Sequence, residues 1–347
     1  MYIKKILWAV AIIGLIVAGY FAYYIYDAML KPNTAFNNDV AYVYISTDDE
    51  YNDVRNQLEP LLDDIDTFDA LANRKKYVSN IRPGKYAIKK GMNNNDIINS
   101  IRSNNLPVKV VFNNQTSLES LAQRINGQID ADSTELITAM NDVEFLKKNG
   151  FSQKNALSMY LPNSYEFFWN STAEDFRNRM LTEYQRFWTE SKKEKASNLG
   201  LSQDEVMTLA SIVYEESKQA QEQPRIAGVY LNRLRIGMPL QADPTLKFAA
   251  YQLPQYKNTI IKRVLNVHKT IDSPYNTYKY AGLPPGLVTM PDISAINSVL
   301  NPEKHDYLYF AADAERLGFH KFAKTLSEHN RNAQQYQQYL NKQGITR

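Results

Sequence analysis

The sequence contains no cysteine. This absence excludes disulfide bonds, thiolate metal sites, iron–sulfur clusters and cysteine nucleophiles. There are four histidines, and none stands four residues from another, so the His-x-x-x-His spacing of a zinc site is missing. The Gly-x-Ser-x-Gly motif of serine hydrolases, a glycine-rich phosphate-binding loop and a dinucleotide fingerprint are missing too. We therefore expect neither a metal nor a cofactor.

An excess of one charge is also lacking. The chain has 40 basic and 37 acidic residues, a formal net charge of +3. Lys4 and Lys5 supply two of these charges, which leaves 3 − 2 = +1 for everything after them. A nucleic-acid-binding protein needs a clustered basic face, so we expect no nucleic-acid partner. With 347 residues, of which 44% are hydrophobic, the chain is long enough for about two folded domains.

One long apolar segment stands at the N-terminus. Residues 6–26 carry no charge, and as a helix they would extend roughly 31 Å, which matches the core of a bilayer. Lys4 and Lys5 before the segment predict a cytoplasmic N-terminus. The segment ends in bulky tyrosines, where a cleaved signal peptide would have small residues, so we favour a permanent anchor. This divides the start of the chain into a cytoplasmic tail (1–5), a transmembrane anchor (6–26) and a linker (27–40), with the remainder outside the cytoplasm.

Residues 41–113 have the pattern of a small α+β module. Strands are predicted at residues 41–46, 85–88 and 108–112, and short helices at about 47–58, 68–71 and from residue 95. Thr47 and Asp48 are the predicted caps of the first of these helices. The module has no cluster of acids, histidines or glycines, so it is interpreted either as a spacer or as a glycan-binding module.

Residues 114–347 are largely helical in pattern, which makes the fold class α+β. Capping boxes beginning at Ser171 and Ser202 predict helices to just before Gly200 and to about Lys218. A further helix is predicted from Pro224 to Ile236. Residues 240–291, rich in Pro, Tyr, Asn and Thr, have the composition of a long functional loop. A strand at 307–311 and a helix at 326–340 complete the prediction.

The helix that begins at Ser202 presents a candidate catalytic acid. Successive residues of a helix turn by about 100°, which predicts one apolar stripe, formed by Val206, Leu209, Ala210 and Val213. Glu216 lies at the edge of this stripe, whereas Glu215 lies on the opposite side. Apolar surroundings raise the pKa of a carboxyl group, and a protonated glutamic acid is what general acid catalysis requires. The alternative is an ordinary acid at a helix edge, paired with a Lys or Arg.

The same helix belongs to a series of motifs that resembles the YceG-like (MltG) endolytic murein transglycosylases. The matching segments, in order, are residues 161–165, 209–217, 227–234, 238–245, 273–278, 282–286, 307–310 and 327–330, together with His320 and Phe322. In this register the family's catalytic glutamate falls on Glu216. The resemblance implies a LysM-like subdomain for residues 41–113 and a catalytic domain for residues 114–347. The chain departs from the family pattern at Tyr214, Asn163 and Ala242.

The resemblance also implies an activity, the cleavage of the MurNAc-β-1,4-GlcNAc bond of peptidoglycan without water. Glu216 would protonate the leaving oxygen and then deprotonate the C6 hydroxyl, which closes a 1,6-anhydro ring. The expected substrate-binding residues are Gln241, Asp243, Thr245, Tyr275, Asn276 and Tyr278, and the alternative role for each is a hydrogen bond that stabilises a loop. The implied partners are nascent glycan strands and the cell-wall polymerases of the inner membrane, where cleavage would terminate strand elongation.

Other interpretations of the same residues remain open. In a lysozyme-type hydrolase, Glu216 would be the acid and Asp243 the second carboxylate, and the product would have a reducing end. In a non-catalytic cell-wall protein or a scaffold that recruits a polymerase, replacing Glu216 would leave function intact.

Overall fold

The computed structural model describes residues 2–256, 259–261 and 263–343. About half of the chain is helical, and the α+β expectation is confirmed. The α-helices, in chain order, are α1 (Tyr2–Met29), α2 (Tyr51–Leu58), α3 (Ile65–Arg74), α4 (Asn94–Ser103), α5 (Leu118–Ile125), α6 (Ser133–Met140), α7 (Val143–Lys148), α8 (Ala173–Phe187), α9 (Glu190–Asn198), α10 (Gln203–Glu216), α11 (Gln223–Arg235), α12 (Asp243–Tyr251), α13 (Asn266–Lys269), α14 (Ile293–Leu300) and α15 (Leu326–Lys342).

The strands form two-stranded sheets. They are β1 (Val40–Ile45), β2 (Gly84–Lys89), β3 (Pro107–Phe112), β4 (Asn163–Phe168), β5 (Tyr309–Ala312) and β6 (His320–Ala323). Strand β1 pairs with β2, β3 with β4, and β5 with β6. The β1–β2 and β5–β6 pairs are antiparallel, with Val43 opposite Tyr86 and Phe310 opposite Phe322.

Helix α1 is long and apolar enough to cross a membrane. It has 28 residues, and its side chains up to Tyr26 are exposed in the isolated chain. Its last turns pack against α3 and α4, and the carbonyl of Ala28 accepts a hydrogen bond from the Asn94 side chain. Length and composition therefore agree with the predicted anchor.

The chain folds into two compact units. The first comprises residues 1–110 together with the segments 126–132 and 165–172. Its core lies between the antiparallel β1–β2 pair and helices α2, α3 and α4, and is built from aliphatic and aromatic side chains that include Ile45, Phe68, Tyr86, Ile88 and Ile97. The LysM-like character inferred for residues 41–113 stays a prediction.

The second unit is organised around α10. It comprises residues 111–125, 133–164 and 173–347, and α10 packs against α11, α12 and α14 within it. All residues of α10 from Val206 to Val213 are buried. Burial on every side is typical of a central core helix. The surrounding helices therefore hold the last turn of α10 in a defined position.

Several predicted elements differ in detail from those observed. Helix α2 is capped by Glu50 and not by Thr47 or Asp48, because Glu50 and Asp53 form the capping box. The helix predicted from Ser171 to Gly200 is two helices, since Thr189 caps the start of α9. The region 240–291, predicted as a long loop, contains helix α12. Pro244 does not prevent this helix, since it stands in the first turn, where proline is well tolerated. Strands β4 and β6 were not predicted; they have six and four residues.

Candidate functional site

Glu216 is the last residue of α10. The predicted capping box at Ser202 is confirmed, with Ser202 accepting from the Glu205 amide and Glu205 accepting from the Ser202 amide. The orientation of the two adjacent acids is also as predicted. Glu215 is exposed and pairs with Lys218 at 2.9 Å, whereas Glu216 is half-buried.

The carboxyl group of Glu216 is held by a tyrosine from the neighbouring helix. The Tyr230 hydroxyl of α11 donates a hydrogen bond of 2.6 Å to Oε1 of Glu216, and Tyr230 is only 1% exposed. The net effect of its surroundings raises the pKa of Glu216 to about 7: burial is the main cause and the charge of Asp243 adds to it, while Tyr230, His320 and Lys247 oppose the shift. A carboxylic acid in this range exists in both protonation states near neutral pH, as an acid–base catalyst requires.

A second acid–tyrosine pair lies in the electrostatic neighbourhood of Glu216. Asp243, the first residue of α12, accepts a hydrogen bond of 2.6 Å from the Tyr278 hydroxyl. Burial, followed by this hydrogen bond, raises the pKa of Tyr278, and Glu216 contributes in the same direction. Glu216, Asp243 and Tyr278, which are at most 62 residues apart in the sequence, therefore influence one another electrostatically.

Two of the predicted substrate-binding residues are fully buried. Thr245 donates to the Ala242 carbonyl at 2.7 Å, and its hydroxyl lies 2.7 Å from that of Thr277. The side-chain amide of Asn276 donates to the backbone carbonyls of Lys269 and Ile271. These contacts correspond to the alternative role for these residues, the stabilisation of a loop.

Gln241 and Tyr275 lie nearer the surface. Gln241 is exposed and has a φ of 50°, an unusual value for a residue other than glycine. Its amide donates to the Thr277 carbonyl at 3.0 Å, which holds this backbone against the 276–278 segment. Tyr275 is half-buried, with its ring 4.5 Å from that of Phe248. Both side chains are accessible to a ligand in a way that Thr245 and Asn276 are not.

Three residues of the site were not assigned a role from sequence. The first is Tyr230, described above. The second is Glu222, 6% exposed, whose carboxylate accepts hydrogen bonds from the backbone amide of His320 at 2.8 Å and, at the longer distance of 3.4 Å, from the hydroxyl of Ser217. The third is His320, whose Nδ1 lies 2.9 Å from Glu222. Glu222 thus joins the residue that follows Glu216 to the first residue of β6.

Arg233 holds the backbone segment that precedes Gln241. Its guanidinium, 7% exposed, donates to the carbonyls of Leu308, Pro239 and Leu240 at 2.6, 3.2 and 2.7 Å. Burial lowers its pKa from the usual value. Since its donors are directed at backbone carbonyls, Arg233 stabilises the loop that precedes Gln241.

Glu216 is not part of the groove, of about 1220 Å³, that lies beside the first half of α10. Asp204, Glu205 and Thr208 line that groove, and Thr208 precedes Glu216 by eight residues, roughly 12 Å along the helix axis. Within residues 2–256, 259–261 and 263–343, no three His, Asp or Glu side chains gather in a group that could hold a metal ion.

Comparison with known proteins identifies the family. The model of the YceG-like family matches residues 43–335. The chain belongs to the YceG-like family. It is 32% identical over 278 residues to the endolytic murein transglycosylase of Bacillus subtilis, covering 75% of this chain and 74% of that protein. It is 28% identical to the endolytic murein transglycosylase of Streptococcus pneumoniae R6, covering 92% of this chain and 62% of that protein.

A solved structure agrees with this assignment. The crystal structure of a yceG-like protein from Listeria monocytogenes is 25% identical and superposes with a TM-score of 0.55, covering 85% of this chain and 99% of that one. The YceG-like fold therefore accounts for most of the chain.

The three residues that depart from the family pattern make local contacts. The Tyr214 hydroxyl donates to Oδ1 of Asn114 at 2.6 Å, and Nζ of Lys218 lies 3.3 Å from the centre of the Tyr214 ring. Asn163 is exposed in β4 and accepts from the next backbone amide. Ala242 is buried, and its amide donates to the Thr277 hydroxyl. None of these contacts involves the carboxyl group of Glu216.

Proposed function

We propose that this protein is a membrane-anchored endolytic lytic transglycosylase of peptidoglycan. The observation that carries the proposal is the hydrogen bond of 2.6 Å between the hydroxyl of buried Tyr230 and the carboxyl group of half-buried Glu216. Burial raises the pKa of this carboxyl group to about 7. The names of the Bacillus and Streptococcus relatives support the substrate class. The proposed product is a 1,6-anhydro-MurNAc end.

The first chemical step is the departure of the GlcNAc unit. Protonated Glu216 donates its proton to the glycosidic oxygen as the bond from that oxygen to C1 of MurNAc breaks, so the leaving group departs as a neutral alcohol. The carboxylate that remains accepts the hydrogen bond of Tyr230, and hydrogen bonds to charged groups are the stronger ones.

The second step closes the ring. The C6 hydroxyl of the same MurNAc attacks C1, and its proton passes to the Glu216 carboxylate, which restores the acid. No water is consumed, because the nucleophile belongs to the substrate and is already held close to C1. One carboxyl group serves both steps, so Asp243 needs no role as nucleophile.

The loops around Glu216 would supply the glycan-binding residues. Gln241, Asp243, Tyr275 and Tyr278 are the proposed contacts, since none of them is fully buried. Thr245 and Asn276 belong to the same proposal as the residues that hold these loops in place. Helix α1 would keep the enzyme in the inner membrane, beside the polymerases that release new strands, where cleavage would terminate elongation. The LysM-like interpretation of residues 41–113 belongs to this proposal as well.

The deciding experiment identifies the new chain ends. The full chain in detergent is incubated with purified peptidoglycan, alongside Glu216→Gln and the matched control Glu215→Gln, and the muramyl ends are measured by mass spectrometry. We expect anhydro ends, lighter than reducing ends by one water, from wild type and Glu215→Gln and none from Glu216→Gln. Cleavage by Glu216→Gln at the wild-type rate would contradict the proposal.

A lysozyme-type hydrolase is the second candidate, because the charge of Asp243 acts on Glu216. The Asp243→Asn variant separates the two mechanisms. Removing the Asp243 charge lowers the pKa of Glu216, so a transglycosylase should make anhydro ends with its pH optimum moved towards acid. A hydrolase would make reducing ends in the wild type and lose most of its activity in the variant.

A further inference from the structure

A groove in the first unit combines aromatic rings with two lysines. It has a volume of about 420 Å³ and is lined by Tyr44 of β1, Lys85 of β2, Val108 and Lys109 of β3, Gly127 and Gln128, and Trp169. We call the set Tyr44, Lys85, Lys109 and Trp169 the aromatic–lysine groove. Its volume is within the range of small-ligand sites, and none of the residues that line it is acidic.

The aromatic rings form a surface that a ligand can reach. The Tyr44 and Trp169 rings are 4.8 Å apart at an interplanar angle of 69°, and Tyr44 is 38% exposed. Tyr42, on the same face of β1 two residues earlier, is 52% exposed. Contiguous exposed apolar surface of this kind marks interaction sites.

The lysines give this surface a positive charge. Nζ of Lys85 lies 4.4 Å from the centre of the Tyr42 ring and 5.6 Å from that of Tyr44. In the part of the chain that the structure describes, neither Lys85 nor Lys109 has a carboxylate within ion-pair distance. Both ammonium groups are therefore available to an anionic ligand.

Hydrogen bonds fix the shape of the groove before any ligand binds. The Trp169 carbonyl accepts from the Asp130 amide at 2.8 Å, and Asp130 in turn accepts from Thr47. On the other side, Asn105 donates to Asn170 at 3.0 Å and accepts from the Lys85 amide at 3.0 Å. A preformed site loses less conformational entropy on binding.

This arrangement depends on the glycine that precedes Lys85. A Cβ atom at Gly84 would stand 2.5 Å from Oδ1 of Asn105, so only glycine allows Asn105 to bond the Lys85 amide from this position. Gly84 also has a φ of 152°, which side chains rarely adopt. Lys85 is thereby held at a defined place beside the aromatic rings.

We propose that the aromatic–lysine groove binds a peptidoglycan glycan strand through the muramic acid residues. The C–H face of a pyranose ring packs on an aromatic ring, and the lactyl carboxylate of muramic acid pairs with Lys85 and Lys109. The proposal rests on the proposed function for the substrate class only. The groove would be a binding site separate from Glu216, with no part in the chemistry.

The test measures binding without cleavage. The full chain in detergent carries Glu216→Gln, and its affinity is measured for peptide-free glycan strands and for chitin oligosaccharides, which lack the carboxylate. The test variants are Lys85→Gln with Lys109→Gln, and Tyr44→Ala. The matched control is Lys89→Gln, on the same strand as Lys85 but outside the groove.

We expect the two lysine changes together to weaken binding of glycan strands by about 3- to 10-fold and of chitin oligosaccharides by less than about twofold. Tyr44→Ala should weaken both by about 10-fold, and Lys89→Gln neither. Because Tyr44→Ala removes a partly packed ring, the surface lysine variant decides the outcome if the former does not fold. Parent-like binding by the lysine variant would overturn the proposal, as would the absence of binding by the parent.

A separate measurement distinguishes a loss of binding at the groove from a loss of catalysis. The same groove variants are made in the chain that retains Glu216, and anhydro ends are counted at a saturating concentration of strands. Undiminished cleavage at saturation together with weakened binding supports the groove as a binding site. Lost cleavage at saturation would place these residues in the reaction and overturn the separation proposed here. If no variant cleaves but the groove variants lose binding, the enzymatic proposal fails and the groove proposal stands.

Discussion

At the scale of single residues, the burial of Glu216 makes the stability of the fold depend on pH. Burial raises its pKa to about 7 from an ordinary value of 4.5. Between these two pH values the folded protein holds a proton that the unfolded chain has released, so the contribution of Glu216 to stability falls as the pH rises. A shift of this size corresponds to roughly 3 kcal/mol at pH 8.

The first prediction follows from this linkage. Glu216→Gln cannot ionise, so its advantage in the free energy of unfolding over wild type should grow by about 3 kcal/mol between pH 4 and pH 8. Urea unfolding of the full chain in detergent measures it. Glu215→Gln is the matched control, because Glu215 is exposed, and should change the free energy by less than about 1 kcal/mol. A difference for Glu216→Gln that does not depend on pH would refute the prediction.

Tyr230 stabilises the charged form of the same carboxyl group. In Tyr230→Phe the hydrogen bond is lost, so the pKa of Glu216 should rise and the carboxylate formed in the first step should lose about 1.5–3 kcal/mol of stabilisation. We expect kcat to fall by roughly 10- to 100-fold and the alkaline limb of its pH profile to move to higher pH. The pH–rate profile checks both effects. Tyr214→Phe, whose hydroxyl bonds Asn114, is the control and should leave the alkaline limb in place.

The residue scale also shows what sequence can predict. The orientation of Glu216 against Glu215 followed from periodicity within one helix, because α10 has a strong capping box and a continuous apolar core. The partner of Glu216 did not, since Tyr230 lies 14 residues later on another helix. Tyr230 lies in the matching segment 227–234, but no sequence pattern relates its hydroxyl to Glu216.

At the scale of secondary-structure elements, Glu222 is the link between α10 and the β5–β6 hairpin. It contacts Ser217, which follows the last residue of α10, and His320, which begins β6. The Phe310 ring lies 5.1 Å from that of His320 and 5.8 Å from that of Tyr230. A change at Glu222 should therefore reach the surroundings of Glu216 through packed neighbours.

We predict that Glu222→Ala lowers the free energy of unfolding by about 3 kcal/mol, since it leaves the amide and ring of His320 without their buried partner. Thermal unfolding measures the loss. Glu222→Gln can still accept from the amide and should restore more than half of it. An effect of Glu222→Ala no larger than that of the exposed Glu303→Ala would contradict a structural role for this contact.

Elements differ in how well sequence predicts them, for physical reasons. Strands β1, β2 and β3 were found because they carry β-branched and aromatic residues between clear turn signals. Strand β6 has four residues, and its pairing with β5 is a tertiary contact that periodicity cannot report. Helix α12 was missed because Asp243-Pro244 is as typical of a turn as of a first helical turn.

At the scale of the whole molecule, segments that are distant in the sequence belong to one compact unit. Residues 126–132 and 165–172 lie within the later, largely helical part of the sequence but belong to the first compact unit. Hydrogen bonds such as that from Thr47 to Asp130, 83 residues apart, hold them there. Composition and periodicity describe neighbouring residues, so they cannot predict that a later segment packs into the first unit. The aromatic–lysine groove depends on both segments, so it was not predictable either.

The anchor is the last feature that can be tested on the whole molecule. Helix α1 is exposed along its apolar length, which favours a lipid environment. Replacing Ile12 and Ile16 with lysine should cost about 2.5–3.5 kcal/mol per residue at the centre of a membrane helix. We expect the wild-type chain to fractionate with membranes at its full mass and the double variant to lose most of its membrane association, as measured by fractionation and mass spectrometry. Ile12→Leu with Ile16→Leu is the matched control and should behave as wild type. A membrane-free mature chain that lacks the first 26 residues would show that the segment is a cleaved signal peptide instead, and peptidoglycan cleavage would then occur without attachment to the membrane.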